Sequence, residues 1–99
     1  AQPISAFPML RRDIAVVVPE AVSYATIESC VREAVGQYLT EVIVFDRYSG
    51  KNLGSGAKSL AIGLILQDDY RTLTVEDADR CVAKAVAALE SRCQAKLRG

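Results

Sequence analysis

The sequence predicts an α+β domain in which one antiparallel sheet carries two helices on a single face. Three observations predict it: a length of 99 residues with 51% hydrophobic and 24% charged composition, which suits one globular core; β-branched runs bounded by turn residues; and two segments with helical periodicity behind a Ser or Thr cap. Ile14-Ala15-Val16-Val17-Val18, stopped by Pro19, reads as the first strand. Ser23 is an N-cap, and Ile27, Cys30, Val31, Ala34, Val35, Tyr38 and Leu39 recur at three- and four-residue steps. That spacing predicts an amphipathic helix with Glu28, Arg32, Glu33 and Gln37 facing water. Val42 to Tyr48 and Ser59 to Leu66 are two further strands, joined by a glycine-rich loop. Thr74 with Asp77 resembles a capping box, and Ala78, Cys81, Val82, Ala85, Val86 and Leu89 give a second helical stripe. Cys93, Ala95 and Leu97 alternate with Gln94, Lys96 and Arg98 as a half-buried last strand. The order strand, helix, strand, strand, helix, strand is the ferredoxin-like βαββαβ arrangement, a four-stranded antiparallel sheet with both helices on one face. Residues 1–6, bracketed by prolines and uncharged, read as a linker or a cut edge, and 7–99 as the domain.

Composition narrows the chemistry. With 12 Lys+Arg against 12 Asp+Glu, no global field draws in nucleic acid or an anionic membrane, so a polyanion partner requires a local patch. No apolar run approaches the roughly 18 to 20 residues that cross a bilayer, and no signal-peptide layout is visible. The expectation is a cytoplasmic protein with no membrane partner. Cys30, Cys81 and Cys93 are odd in number and lack a CxxC, which predicts reduced core thiols and no metal site. The absence of His removes the commonest general base, so the chain is expected to have no catalytic residues of its own. Ala57-Lys58-Ser59 approaches the end of a phosphate-binding loop, but Asn52 and Ala57 occupy both glycine positions and a strand follows instead of a helix.

Function is expected on the uncovered sheet face. Side chains alternate along a strand, so Ile43 and Phe45 share one face of the second strand while Val44, Asp46 and Tyr48 share the other. In the third strand Leu60, Ile62, Leu64 and Leu66 are the bulky set and Ser59, Ala61 and Gly63 the small one. Giving the bulky set to the helices leaves Ser59, Ala61 and Gly63 beside Asp46 and Tyr48 on the open face. Such a floor suits a flat ring: Tyr48 stacks, Asp46 accepts from two adjacent donors, and Ser59 donates or accepts, a pattern that guanine satisfies. The same residues also allow Tyr48 to pack against the loop and Asp46 to cap a turn. Arg11 and Arg12 at the start of the first strand, with Arg47, Lys51 and Lys58 around the loop, form a local positive edge of the kind single-stranded RNA requires. A solvated rim, with Asp13 pairing one arginine, is the alternative.

Phe7-Pro8, Arg11-Arg12-Asp13, Phe45-Asp46-Arg47-Tyr48, Gly50, Lys58-Ser59-Leu60-Ala61 and Arg71-Thr72-Leu73-Thr74 resemble, in order and spacing, the ferredoxin-fold anticodon-binding domain. That domain ends the β subunit of bacterial phenylalanine–tRNA ligase, and the resemblance covers about residues 5 to 98. It implies a non-catalytic piece of a larger synthetase, whose partners are the anticodon stem-loop of the phenylalanine tRNA, the rest of the β subunit and the α subunit. It implies no cofactor in this domain, with ATP and magnesium used by the full enzyme. By the same resemblance Asp46, Tyr48 and Ser59 fall on the pocket for the first anticodon base, G. Ala57 stands where the family commonly has a second lysine, and Ile62 where an aromatic is frequent. A regulatory domain of the same topology that binds a small molecule such as an amino acid is the competing reading.

Overall fold

A computed structural model describes residues 7–48 and 56–97, and the side chains of all of these except 46–48. The expected linker at 1–6, Gly50, Lys51 and Arg98 lie outside the described residues. The elements run β1 (Leu10–Pro19), α1 (Tyr24–Val35), a short 3-10 turn (Gly36–Tyr38), β2 (Leu39–Tyr48), β3 (Ala57–Leu66), α2 (Val75–Cys93) and β4 (Lys96–Leu97). The four strands form one antiparallel sheet in the order β2-β3-β1-β4. This is the ferredoxin-like arrangement that the pattern of elements predicts.

Both helices start as their caps dictate. The Ser23 hydroxyl accepts from the Thr26 N–H at 3.1 Å, satisfying one of the donors a helix start leaves without a partner. Thr74 and Asp77 make the full reciprocal box: the Asp77 N–H donates to the Thr74 hydroxyl at 3.1 Å and the Thr74 N–H donates to the Asp77 carboxylate at 2.8 Å. The helix ends differ from the sequence pattern. Gly36, at φ +82, terminates α1 at Val35 by donating its N–H to the Arg32 carbonyl, so Tyr38 leaves the helix and Leu39 opens β2. Cys93 belongs to α2 instead of the last strand, because it continues the stripe four residues after Leu89 and Gln94 takes the left-handed conformation at φ 52. Among the described residues the last strand accordingly comprises Lys96 and Leu97.

The core lies between sheet and helices. Ile14, Val16 and Val18 of β1 and Leu60, Ile62, Leu64 and Leu66 of β3 meet Ile27, Cys30, Val31 and Val35 of α1 and Ala78, Cys81, Ala85, Leu89 and Cys93 of α2, all buried. Each large apolar side chain so buried contributes about 1.5 to 3 kcal/mol before chain entropy is set against it. Register ties the strands to this layer: Ile14 pairs with Ile62 and Val16 with Leu60, and directly opposed residues share a face. The three cysteines are buried and unbridged, and burial pushes the Cys81 and Cys93 thiols up.

A polar hub fastens the second helix to the sheet layer. Asp77, 4% exposed, accepts from Arg71 at 2.7 and 3.2 Å, from Arg80 at 2.8 Å and from the Thr74 hydroxyl at 3.0 Å. Arg71 also donates to the Tyr38 hydroxyl at 3.0 Å, which reaches the turn before β2. The Arg71 guanidinium, followed by the Thr74 hydrogen bonds, holds the Asp77 carboxyl well below the usual carboxylate range.

Candidate nucleic-acid interface

The open face of the sheet is read from the register. Val42 pairs with Leu64, Val44 with Ile62 and Asp46 with Leu60, all positions of the helix-covered face. Ile43 pairs with Gly63 and Phe45 with Ala61, which places these two on the open face. The pairing then slips. Two residues of β2, from Asp46 to Tyr48, are matched by one residue of β3, from Leu60 to Ser59. A bulge of this kind reverses the alternation beyond it. Tyr48, opposite Ser59, thereby stands at an open-face register position, whereas Asp46 stands at a helix-side one.

The expectation that Asp46 and Tyr48 share a face is corrected by this slip, and the assignment of Ile43 and Phe45 is reversed. A run that is apolar at four successive positions, Val42 to Phe45, gives no parity of its own. The extra residue in β2 is invisible to a strict two-residue period. Phe45, 41% exposed, is the functional-face residue that sequence reasoning missed. The signal that finds it is the match of Val42 and Val44 to the Leu64 and Ile62 partners.

The small residues of β3 line the middle of this face as expected. Ser59, however, is fully buried, and it is not the solvent-facing donor the sequence suggests. A short side chain on a central strand lies below longer neighbours such as Val17, its partner in β1. At Gly63 the reason for the missing side chain is local: a Cβ there would stand 3.2 Å from Arg11 Nη2 and 3.2 Å from Asp13 Oδ1. These two groups lie over the glycine, and Arg11 Nε donates to Asp13 Oδ1 at 3.0 Å. With more than half of each side chain exposed, this pair adds little to stability and leaves the guanidinium accessible.

The cations divide between the faces. Arg11, opposite Ile65, is on the open side, while Arg12, opposite Leu64, is on the other and donates to the Arg11 carbonyl at 3.0 Å. Lys58, opposite Val18, is also on the helix side, where its ammonium lies 5.3 Å from the centroid of the Tyr24 ring. Adjacent residues of a strand point apart, so Arg11 and Arg12 cannot form one patch on one face. Arg47 is the unmatched residue of the bulge. Among the described residues no three His, Cys, Asp or Glu side chains converge on one point. A cavity of about 420 Å3 lies at the end of the sheet where Pro19 faces Ala57, beside Gln94 and Lys96, and among the described side chains Arg11, Arg12, Lys58 and Ser59 do not line it.

A shallow floor of Ala61 and Gly63, an exposed ring to one side and a guanidinium one row away can hold a planar group and an adjoining anion. Fold and face together define a binding domain of the split-βαβ class, in which the surface without helices is the one free to meet a ligand. The chain matches the family model of the ferredoxin-fold anticodon binding domain over residues 5–98, and it belongs to that family. It is 51% identical over 96 residues to the phenylalanine–tRNA ligase beta subunit of Xanthomonas campestris pv. campestris (strain 8004), covering 97% of this chain and 12% of that protein. Against the beta subunit of Xylella fastidiosa (strain 9a5c) the identity is 49% over 98 residues, covering 99% of this chain and 12% of the relative. The chain thus spans 12% of the length of these relatives. No helix among the described residues is long and apolar enough to cross a membrane.

Proposed function

We propose that this chain is the anticodon-binding part of a phenylalanine–tRNA ligase β subunit and that it holds the anticodon stem-loop of the phenylalanine tRNA against the open face of its sheet. The observation that carries the proposal is that face itself: in a chain of the anticodon-binding family, it presents an aromatic ring and a cation over small residues, with no helix above them. The domain, residues 7–99, contributes no chemistry. Activation of phenylalanine with ATP and magnesium belongs to the rest of the cytoplasmic enzyme, formed by the remainder of the β subunit and the α subunit.

In this reading Tyr48 stacks on the first anticodon base, as its pairing with Ser59 permits. Asp46, beside the bulge on the edge strand β2, accepts the two donors on guanine's Watson–Crick edge from around the sheet's rim, and Ser59 lies beneath the base opposite Tyr48. Arg11 neutralises phosphate on the open face. Arg12, Arg47 and Lys58 act from the rim.

The test is NMR shift mapping of the chain with a G-A-A anticodon hairpin. Shifts clustered on β2, β3 and the start of β1 are expected, together with a negative log–log salt slope of about −0.7 per phosphate contact. Shifts confined to the helix layer, or saturation by phenylalanine at a helix–strand loop, would overturn the reading in favour of a regulatory domain. Tyr48→Ala is expected to weaken all hairpins by about 1 to 3 kcal/mol. Asp46→Asn is expected to act on G hairpins alone, because an amide meets one of guanine's donors with a donor of its own.

A further inference from the structure

Among the described residues, Phe45 is the one exposed large apolar side chain that a strand carries on the open face of the sheet; Met9, Tyr24, Tyr70 and Val75 lie outside the strands, and Leu97 pairs with Val16 on the helix side. Its cross-strand neighbour is Ala61, and the next residue in that row is Ala15. Single-carbon side chains cannot rise to cover a phenyl ring, so the sheet leaves Phe45 without the burial that an aromatic side chain ordinarily finds. Its row adjoins two others. On one side is the row of Tyr48, Ser59 and Val17; on the other is that of Ile43, Gly63 and Asp13, with the Arg11 guanidinium drawn over Gly63. Rows on one face are two residues apart, or about 7 Å.

The floor beneath is shaped for the same occupant. Gly63 lets the Arg11 guanidinium lie low across the strand, where Asp13 fixes it at 3.0 Å. A cation held beside an exposed ring offers one contact for a phosphate and one for a base, and aromatic residues on successive rows of a sheet stack successive bases. A purely apolar partner would leave the guanidinium's remaining N–H donors, beyond the one given to Asp13, without an acceptor.

We propose that Phe45 is a second stacking platform, which takes the anticodon-loop base adjoining the one assigned to Tyr48, with Arg11 on the phosphate beside it. The inference rests on the anticodon-binding reading above and adds a residue and a nucleotide to it. It assigns to the face two consecutive bases where Tyr48 alone would hold one.

The experiment uses the 99-residue chain and hairpins carrying 2-aminopurine at each anticodon position in turn, since stacking alters the fluorescence of that base. Phe45→Leu keeps the apolar bulk and removes the ring, Phe45→Tyr keeps the ring, and thermal unfolding checks that both fold. The expected result is an affinity loss of about 5- to 100-fold in Phe45→Leu, recovery in Phe45→Tyr, and a fluorescence change at a single position distinct from the one that responds to Tyr48→Ala. Hairpin affinity within twofold of the unaltered chain in Phe45→Leu, with Tyr48→Ala still impaired, would overturn the second platform and leave the anticodon reading standing. Failure of the unaltered chain to bind any hairpin would overturn both.

Discussion

Along β3, neighbouring positions meet opposite surroundings. Leu60, Ile62, Leu64 and Leu66 are wholly enclosed under the helices, whereas Ala61 and Gly63 between them floor the face that carries Phe45 and the Arg11–Asp13 pair. One strand therefore serves two economies: its even positions hold the fold together and its odd positions shape a surface. The difference teaches that substitutions one residue apart should separate stability from binding.

The largest effect is expected from Leu64→Ala. Removing a fully buried leucine should cost about 2 to 5 kcal/mol, measured by urea denaturation, while the folded fraction keeps its hairpin affinity. Parallel losses of both would break the distinction between faces. Next comes the hub that anchors α2. Because the folded carboxyl of Asp77 is depressed, mainly by Arg71, its contribution is complete above the ordinary carboxylate value of about 4 and is lost as pH falls below it. Asp77→Asn should lower Tm at pH 7 and flatten the acid limb of the Tm–pH curve. An acid limb as steep as that of the parent would remove Asp77 as its source.

On the open face, effects should fall on binding alone. Arg11→Ala is expected to reduce the magnitude of the salt slope for the hairpin by about 0.7, and Arg12→Ala to reduce it by less, since the two side chains leave the strand on opposite sides. Equal changes would show that the RNA wraps the strand's end. Gly63→Ala is the finest probe. The atoms its methyl would crowd are the ends of two flexible side chains, so stability should move by less than about 1 kcal/mol, while Arg11 is displaced and the hairpin binds several-fold more weakly. Unchanged affinity on titration would detach Arg11's position from its role.

How much of this was legible in the sequence follows the same division. The helix layer could be read because Ser23, Thr74 and Asp77 are caps with a mechanism and the apolar stripes keep their period. The floor of β3 could be read because small and bulky residues alternate from Ser59 to Leu64. The edge strand could not. Val42 to Phe45 gives no alternation, and the slip between Asp46 and Tyr48 depends on how β2 fits its neighbour, which no period within β2 records. The end of α2 was missed for a related reason: Cys93, Ala95 and Leu97 alternate as a strand would, but the helical stripe four residues after Leu89 prevails. Family resemblance singled out Asp46, Tyr48 and Ser59 without saying which side of the sheet each one takes.

The strand order has a consequence in time. β1 is central, yet Val16 finds its partners at Leu60 and Leu97, far along the chain. As the polypeptide emerges from the ribosome, β1 and α1 are complete before either neighbour of β1 exists. The apolar run from Ile14 to Val18 has α1 to shelter it but no partner strand of this sheet until β3 arrives. Closing such distant pairs is entropically slow, and an unpaired apolar strand is the species most exposed to association with other chains. Among the described residues only Lys96 and Leu97 follow α2 onto the sheet, so the pairing of β3 with β1 and β2 and the packing of both helices can be in place once α2 has cleared the exit.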